Sequence, residues 1–247
     1  MDNSIVFAGL PRSGITLLAS ILNKDKNIYV TTSSPFVEIL WRNYDVWNDP
    51  SYKGDFGTHN LQQAKIPFLK GMTEAYYAQL TDKPIVIDKR RQWQSIINIE
   101  MYRDVYGFLP KIICTVRNVT EIITSYKVLY QSNKQTWNYE DLKGNAFESS
   151  YNDLVEGYKK YPECFLLVEY NNLVDNPHST LEKVYEFIGS EMPEQDFSTI
   201  VASEYEGNHG IEGLHDLRKT LSKKTAIPQE VLTEEEFEKF SSWDFWR

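Results

Sequence analysis

The chain has 247 residues, enough for one sizeable α/β core. With 41% hydrophobic and 25% charged residues its composition is ordinary for a globular protein, and no run approaches the ~18 apolar residues of a membrane helix. The net charge of −9 argues against broad affinity for nucleic acid, although an anion site built from a few local donors stays open.

In chain order, Ser4–Ala8 reads as a buried strand, Gly9–Ser13 as a turn and Gly14–Leu22 as a helix. The segment does not read as a leader: Asp2 is acidic, and the apolar run from Ile5 is broken by Pro11 and Arg12. A soluble, cytoplasmic protein is therefore expected. Ile28–Thr31 is a short strand and Phe36–Val46 an aromatic-rich helix. Asp49–His59 carries Pro, Gly and Asp and reads as a loop. A helix over Leu61–Leu80, a strand over Pro84–Asp88 and a helix over Ser95–Tyr106 follow. Lys111–Val116 is the next strand, with the helix Val119–Tyr130 behind it and a polar loop over 132–145. Phe147–Tyr161 is helical, Phe165–Glu169 is a strand, and Ser179–Ile188 is a helix.

Cys114 and Cys164 lie in apolar strand-like runs and read as small buried hydrophobes. His59, His178, His209 and His215 show no metal-ligand spacing, so no metal site is expected. Strands alternating with helices give an α/β fold, a mostly parallel central sheet flanked by helices on both faces. No repeat or linker divides the chain, so a single domain over 1–247 is expected. Ligands of such sheets bind at the carboxyl ends of the strands, so the residues after each strand matter most.

After the first strand, Gly9 to Thr16 has the frame of a nucleotide phosphate loop. Its glycines let backbone amides turn toward an anion, and the helix start adds donors and positive partial charge. The lysine usual before Thr16 is replaced by Ile15, and a cation stands earlier, as Arg12. That pattern suits a smaller anionic group held by amides, a hydroxyl and one guanidinium. The run Pro11 to Leu18 resembles the 5′-phosphosulfate loop of sulfotransferases. The resemblance implies a P-loop NTPase-like sulfotransferase fold. It also implies 3′-phosphoadenosine-5′-phosphosulfate (PAPS) as sulfuryl donor, held by Arg12, Ser13, Gly14, Ile15, Thr16 and Leu17. The product would be adenosine-3′,5′-bisphosphate (PAP), and the family works without a metal.

Arg117 follows the strand Lys111–Val116, and Ser125 lies eight residues further on. Sulfotransferases use this spacing to hold the 3′-phosphate, and a guanidinium fork with a hydroxyl suits that group. Val168 to Leu173 resembles another family segment, in which Tyr170 stands either against the adenine or in the core. Leu221 to Pro228 resembles the closing segment of the tyrosylprotein branch. Lys223 there matches a lysine that encloses the cofactor phosphates; a solvated basic turn is the alternative. The tail from Phe237 to Arg247 is expected to pack on the domain.

Many family members carry a lysine at the end of the strand equivalent to Pro84–Asp88, which makes Lys89 the leading catalytic residue. Sulfuryl transfer needs its reacting oxygens in line and its leaving-group charge neutralised, roles for Lys89 and Arg12. A general base would assist a hydroxyl acceptor. The better-known branches place theirs where this chain has Thr32 to Ser34 or Arg91. Glu38 is the nearest carboxylate and stands either as that base or as a solvated helix charge; Asp88 is a second candidate.

The acceptor pocket is expected near Ser33 to Tyr44 and the loops 49–59 and 132–145. Trp41, Tyr44, Trp47, Tyr52, Trp137 and Tyr139 lie there, as acceptor-stacking rings or as core. A small molecule, a carbohydrate or a peptide could be the acceptor; nucleic-acid binding and membrane insertion are not expected. Two other readings stay open: a P-loop small-molecule kinase using ATP, with Asp88 on magnesium, and a noncatalytic nucleotide-binding protein.

Overall fold

Side chains alternate across a strand, so the strands of a parallel sheet with helices on both faces are apolar throughout. The computed structural model describes residues 5–58, 61–142, 146–194, 196–197, 200, 212, 220–222 and 226–247. Its sheet has five parallel strands in the order β2-β3-β1-β4-β5. They are β1 (Ile5–Gly9), β2 (Ile28–Val30), β3 (Ile85–Lys89), β4 (Lys111–Val116) and β5 (Phe165–Glu169).

The connecting helices divide the core in two. Ile5 and Phe7 of β1 and Ile113 of β4 face α1 (Ile15–Leu22) and later helices of the chain. Val6 and Ala8, with Ile112, Cys114 and Val116, face the other side. There they meet α2 (Phe36–Asn48), reached before the short α3 (Lys53–Thr58), and α4 (Lys65–Ala78). The same side is completed by α5 (Ile96–Tyr106), α6 (Val119–Ser132) and α7 (Ala146–Lys160). Beyond β5 come α8 (Tyr170–Asp175) and α9 (Pro177–Ile188), whose Leu181, Val184 and Tyr185 join the α1 side. The described chain ends with α10 (Pro228–Val231) and α11 (Glu234–Ser241).

The predicted strands and long helices are present, and both cysteines are buried and unbridged. The differences lie in short segments. The expected loop 49–59 contains a 3₁₀ turn over Pro50–Tyr52 and then α3. Pro50 sits in the first turn, and the Asp49 side chain accepts from the Ser51 amide at 2.8 Å, so Pro and Asp start a helical turn here. The expected helix Leu61–Leu80 opens as a 3₁₀ turn over Leu61–Ala64, and a 3₁₀ turn over Tyr139–Leu142 interrupts the polar loop. A short helix of six residues, α8, follows β5 directly.

The tail packs on the domain as expected. The Trp243 ring lies 4.5 Å from that of Tyr151, whose hydroxyl donates to the Trp243 carbonyl at 2.7 Å. A capping box starts α11: the Thr233 hydroxyl accepts from the Glu236 amide, and the Glu236 carboxylate accepts from the Thr233 amide. Glu236 is buried and also takes Lys127 at 2.8 Å and the Trp137 indole at 2.5 Å, which fixes α11 against α6.

Candidate active site

The turn after β1 is built by close packing on β4. Gly9 has φ 149°, and a Cβ there would collide with the Thr115 side chain. The absence of that Cβ lets the Leu10 amide reach the Thr115 carbonyl at 3.1 Å. The buried Ser13 hydroxyl then ties the turn down, at 2.5 Å from the Leu10 carbonyl, 2.9 Å from the Thr115 carbonyl and 2.7 Å from the Thr115 hydroxyl. Arg12 adopts φ 62°, unusual for a residue with a Cβ and a sign of a constrained loop. Gly14, at φ 92°, caps α1, and a Cβ on it would stand 2.7 Å from Tyr170 Cδ2. The first amides of α1 have no acceptor within the helix, and its first turn contains no acidic residue.

At the end of β4, Arg117 is only 6% exposed. Its Nε donates to Glu121 Oε2 at 2.9 Å and its Nη1 to the Arg12 carbonyl at 3.4 Å. The guanidinium carbon lies 4.4 Å from the centre of the Tyr170 ring. Ser125 is buried on α6, and Arg12 Nε donates to its hydroxyl at 3.1 Å. The resemblance divides these residues between the two ends of the cofactor. The structure joins Arg12, Gly14, Arg117, Ser125 and Tyr170 in one contiguous cluster. Ser13 is committed to the turn through its hydroxyl, Ile15 and Leu17 pack into the core on the α1 side, and Thr16 is half-buried in the first turn of α1. Lys223 lies outside the described residues.

Parity settles which side the β3 residues face. Lys89 pairs in register with Phe7, and Asp88 with Val6. The lysine, 5% exposed, is therefore on the α1 side, the side of the turn that follows β1. Asp88 is on the other side, buried against Trp93, whose indole donates to Oδ1 at 2.7 Å. A cavity of about 20 Å³ lies beside it, lined by Phe36, Tyr77, Trp93 and Tyr106. Burial pushes the Asp88 carboxyl above its usual range, while Ser34, Trp93 and Tyr77 pull it back. The Ser34 and Tyr77 hydroxyls also stand close to the carboxyl. Asp88 thus faces away from α1 and the turn that opens it, on the side opposite to where the kinase reading would place a magnesium ligand.

Beyond Lys89 the chain turns across β1, with the Arg90 amide donating to the Phe7 carbonyl at 2.9 Å. Arg90 forms a 2.6 Å ion pair with Glu38 Oε1 and donates to the Ser33 hydroxyl at 2.9 Å. Gln92 Nε2 donates to the same Glu38 oxygen at 3.3 Å. Glu38 is thus a held carboxylate at the start of α2, rather than a freely solvated one. Arg91 is partly buried, and desolvation lowers its pKa. Next to Ser125, the Tyr126 phenol is pushed up to about 12 by burial, while the charges of Arg91 and Arg12 act the other way.

The six aromatics expected at an acceptor pocket divide into separate groups. Trp47 stacks on Phe56 of α3 with ring centres 4.2 Å apart, and the Tyr44 hydroxyl donates to Asp104 at 2.6 Å. Trp41 and Tyr52 are exposed on that same helical projection. Trp137 and Tyr139 instead bond to Glu236 and Glu235 of α11. Sequence reasoning missed Glu121 and Asn171, whose Nδ2 donates to Glu121 Oε1 at 3.2 Å. Glu121 carried little signal, because Arg117 stands before α6 begins and the pair forms only once the turn folds its guanidinium back over the first helical turn. Among the described residues no cluster of His, Cys, Asp and Glu could hold a metal ion, and no helix is long and apolar enough to cross a membrane.

A family model described as "Sulfotransferase family" matches residues 4–194, and the chain belongs to that family. Solved structures share the fold at low sequence identity. The sulfotransferase domain from the curacin biosynthetic pathway has a TM-score of 0.60 at 16% identity, over 98% of this chain and 97% of that one. Mouse sulfotransferase SULT7A1, solved in complex with PAP, has 0.55 at 16%, over 98% and 83%. The sulfotransferase domain of the Synechococcus PCC 7002 olefin synthase has 0.54 at 17%, over 97% and 94%. No curated protein matches the chain by sequence.

Proposed function

We propose that the chain moves a sulfuryl group from PAPS to a hydroxyl or amine of its acceptor by in-line displacement. The observation that carries this reading is the Arg12–Ser125–Arg117–Tyr170 cluster at the carboxyl ends of β1, β4 and β5. Two guanidinium groups and a buried hydroxyl there suit a phosphate, and a flat ring against Arg117 suits an adenine next to that phosphate. Gly14 supports the same arrangement: without a Cβ it lets the Tyr170 ring pack directly on the start of α1, next to Arg117. Arg12, Ser13, Gly14, Ile15, Thr16 and Leu17 are assigned to its 5′ end, Arg117 and Ser125 to its 3′-phosphate and Tyr170 to its adenine. Lys223 is assigned by resemblance alone.

The cofactor supplies the activated sulfuryl group when bound. The chain's own residues orient it and handle charge and protons. Lys89, buried on the phosphate-loop side of β3, neutralises leaving-group charge together with Arg12. Glu38 accepts the acceptor's proton. Both of its described contacts fall on Oε1, so that Arg90 and Gln92 hold the carboxylate through one oxygen and the other is left to take the proton. The match over residues 4–194 and the tail packed on α7 support a single domain. The acceptor is a small molecule, a carbohydrate or a peptide.

Thermal unfolding with PAP, in parallel with ADP and magnesium, tests the reading. At about 100 times its dissociation constant a ligand stabilises the native state by about 2.7 kcal/mol. For a domain of this size that raises the midpoint by several degrees, at roughly 2–4 °C per kcal/mol. The expected result is a rise with PAP that Arg117→Ala abolishes. A rise with ADP and magnesium alone would overturn the reading.

A further inference from the structure

The tail of the chain reaches the phosphate-binding turn. Asp244 Oδ1 accepts from the Val119 amide at 2.8 Å, and Oδ2 accepts from Asn118 Nδ2 at 2.6 Å. Both partners lie at the start of α6, directly after Arg117. Asn118 is the N-cap of α6, its Oδ1 accepting from the Glu121 amide at 3.2 Å. Glu121 in turn holds Arg117 Nε at 2.9 Å, and Arg117 lies over Tyr170. An unbroken chain of contacts therefore runs from Asp244 through Asn118 and Glu121 to the Arg117 guanidinium.

The tail is anchored well enough to transmit this. Trp243 packs on Tyr151 and Phe240, with ring centres 4.5 and 5.2 Å away. Arg247 bridges Asp244 at 3.4 Å and Glu169 at 3.7 Å, and Glu169 immediately precedes Tyr170. Asp244 also takes the amide that opens α6. With that amide taken by Asp244 and the Glu121 amide taken by Asn118, a phosphate at this turn depends more on the aim of Arg117.

We infer that Asp244 is a positioning residue for the 3′-phosphate: it caps α6 from the C-terminal tail and so fixes the guanidinium of Arg117. The inference rests on the reading of Arg117 as the 3′-phosphate ligand, and its test separates the two. Isothermal titration of the full chain compares PAP with adenosine-5′-monophosphate, which lacks the 3′-phosphate. The full worth of a helix cap, if all of it went into aiming Arg117, sets the expected loss of affinity at about tenfold at most. Asp244→Ala is expected to weaken PAP by up to that factor and leave the monophosphate unchanged. Asp244→Asn, which keeps an acceptor for the Val119 amide, is expected to fall between, and it carries the test if the alanine variant does not fold. Equal loss for both nucleotides, or no loss in either variant, overturns the inference and marks Asp244 as structural only. A wild-type chain that binds PAP no better than the monophosphate overturns the reading of Arg117 itself, and the inference with it.

Discussion

The two halves of the candidate site are built differently. On the side we assign to the donor, Arg117 and Ser125 are each 6% exposed, and Arg12 from the end of β1 ties the two together through its carbonyl and its guanidinium. On the side we assign to the acceptor, the Glu38 and Arg90 side chains are 43% and 27% exposed, and the aromatics expected there are spread over α2, α3 and the contacts of α11. A buried, cross-linked half suits a group that is the same in every turnover. An open half held by one ion pair and a few hydrogen bonds suits contacts made to one particular acceptor, and loop-borne surfaces of this kind vary most readily.

Lys89 lies at the boundary and gives the largest expected effect. Removing one preorganised charge aimed at a developing anion costs about 10²–10³ in turnover. Lys89→Ala should lose that factor in kcat, while PAP still raises the unfolding midpoint as in wild type. Loss of PAP binding along with turnover would instead put Lys89 in the donor half.

Glu38→Gln sharpens the same division from the acceptor side. Glutamine keeps an oxygen for Arg90 and Gln92 but cannot take up a proton at neutral pH. A base contributes about 10²–10⁴ in rate, so a fall of about 10² in kcat with unchanged PAP affinity is expected in steady-state assays. Undiminished turnover would reduce Glu38 to the anchor of Arg90.

Much of the donor half was legible in the sequence because its motifs are local. The strand, the glycine turn and the helix start lie within Ile5 to Leu22, and Arg117 to Ser125 spans one strand end and two helical turns. The sheet was legible too, since apolar strands alternating with helices allow few arrangements. What stayed hidden depends on contacts distant in sequence. Nothing near Asp244 announces that it caps a helix starting at Val119, and nothing near Arg12 shows that its side chain meets Ser125. The acceptor side was obscure for a related reason. Its aromatics look alike in the sequence, and only packing separates Trp47 on α3 from Trp137 on α11. The direction of Asp88 was in principle readable from strand parity, because its neighbour Lys89 must face the opposite side.

That parity yields the smallest effect and tests how sharply the site is bounded. Asp88 is one residue from Lys89 yet lies in the core, with its carboxyl pushed up by burial. The folded chain therefore keeps this proton to higher pH than the unfolded chain, whose aspartate titrates near ~3.9. As pH rises through that value the unfolded state ionises first, and stability is lost from there up through the folded pKa. Above it the full cost of the buried charge remains. Asp88→Asn removes this cost while its amide oxygen still accepts from the Trp93 indole. The variant should be modestly more stable than wild type in urea at neutral pH, the gain should vanish below about pH 4, and turnover should not change. A less stable variant at neutral pH would mean that Ser34, Trp93 and Tyr77 more than compensate the charge. A fall in turnover at unchanged stability would extend the site through the sheet to its far face.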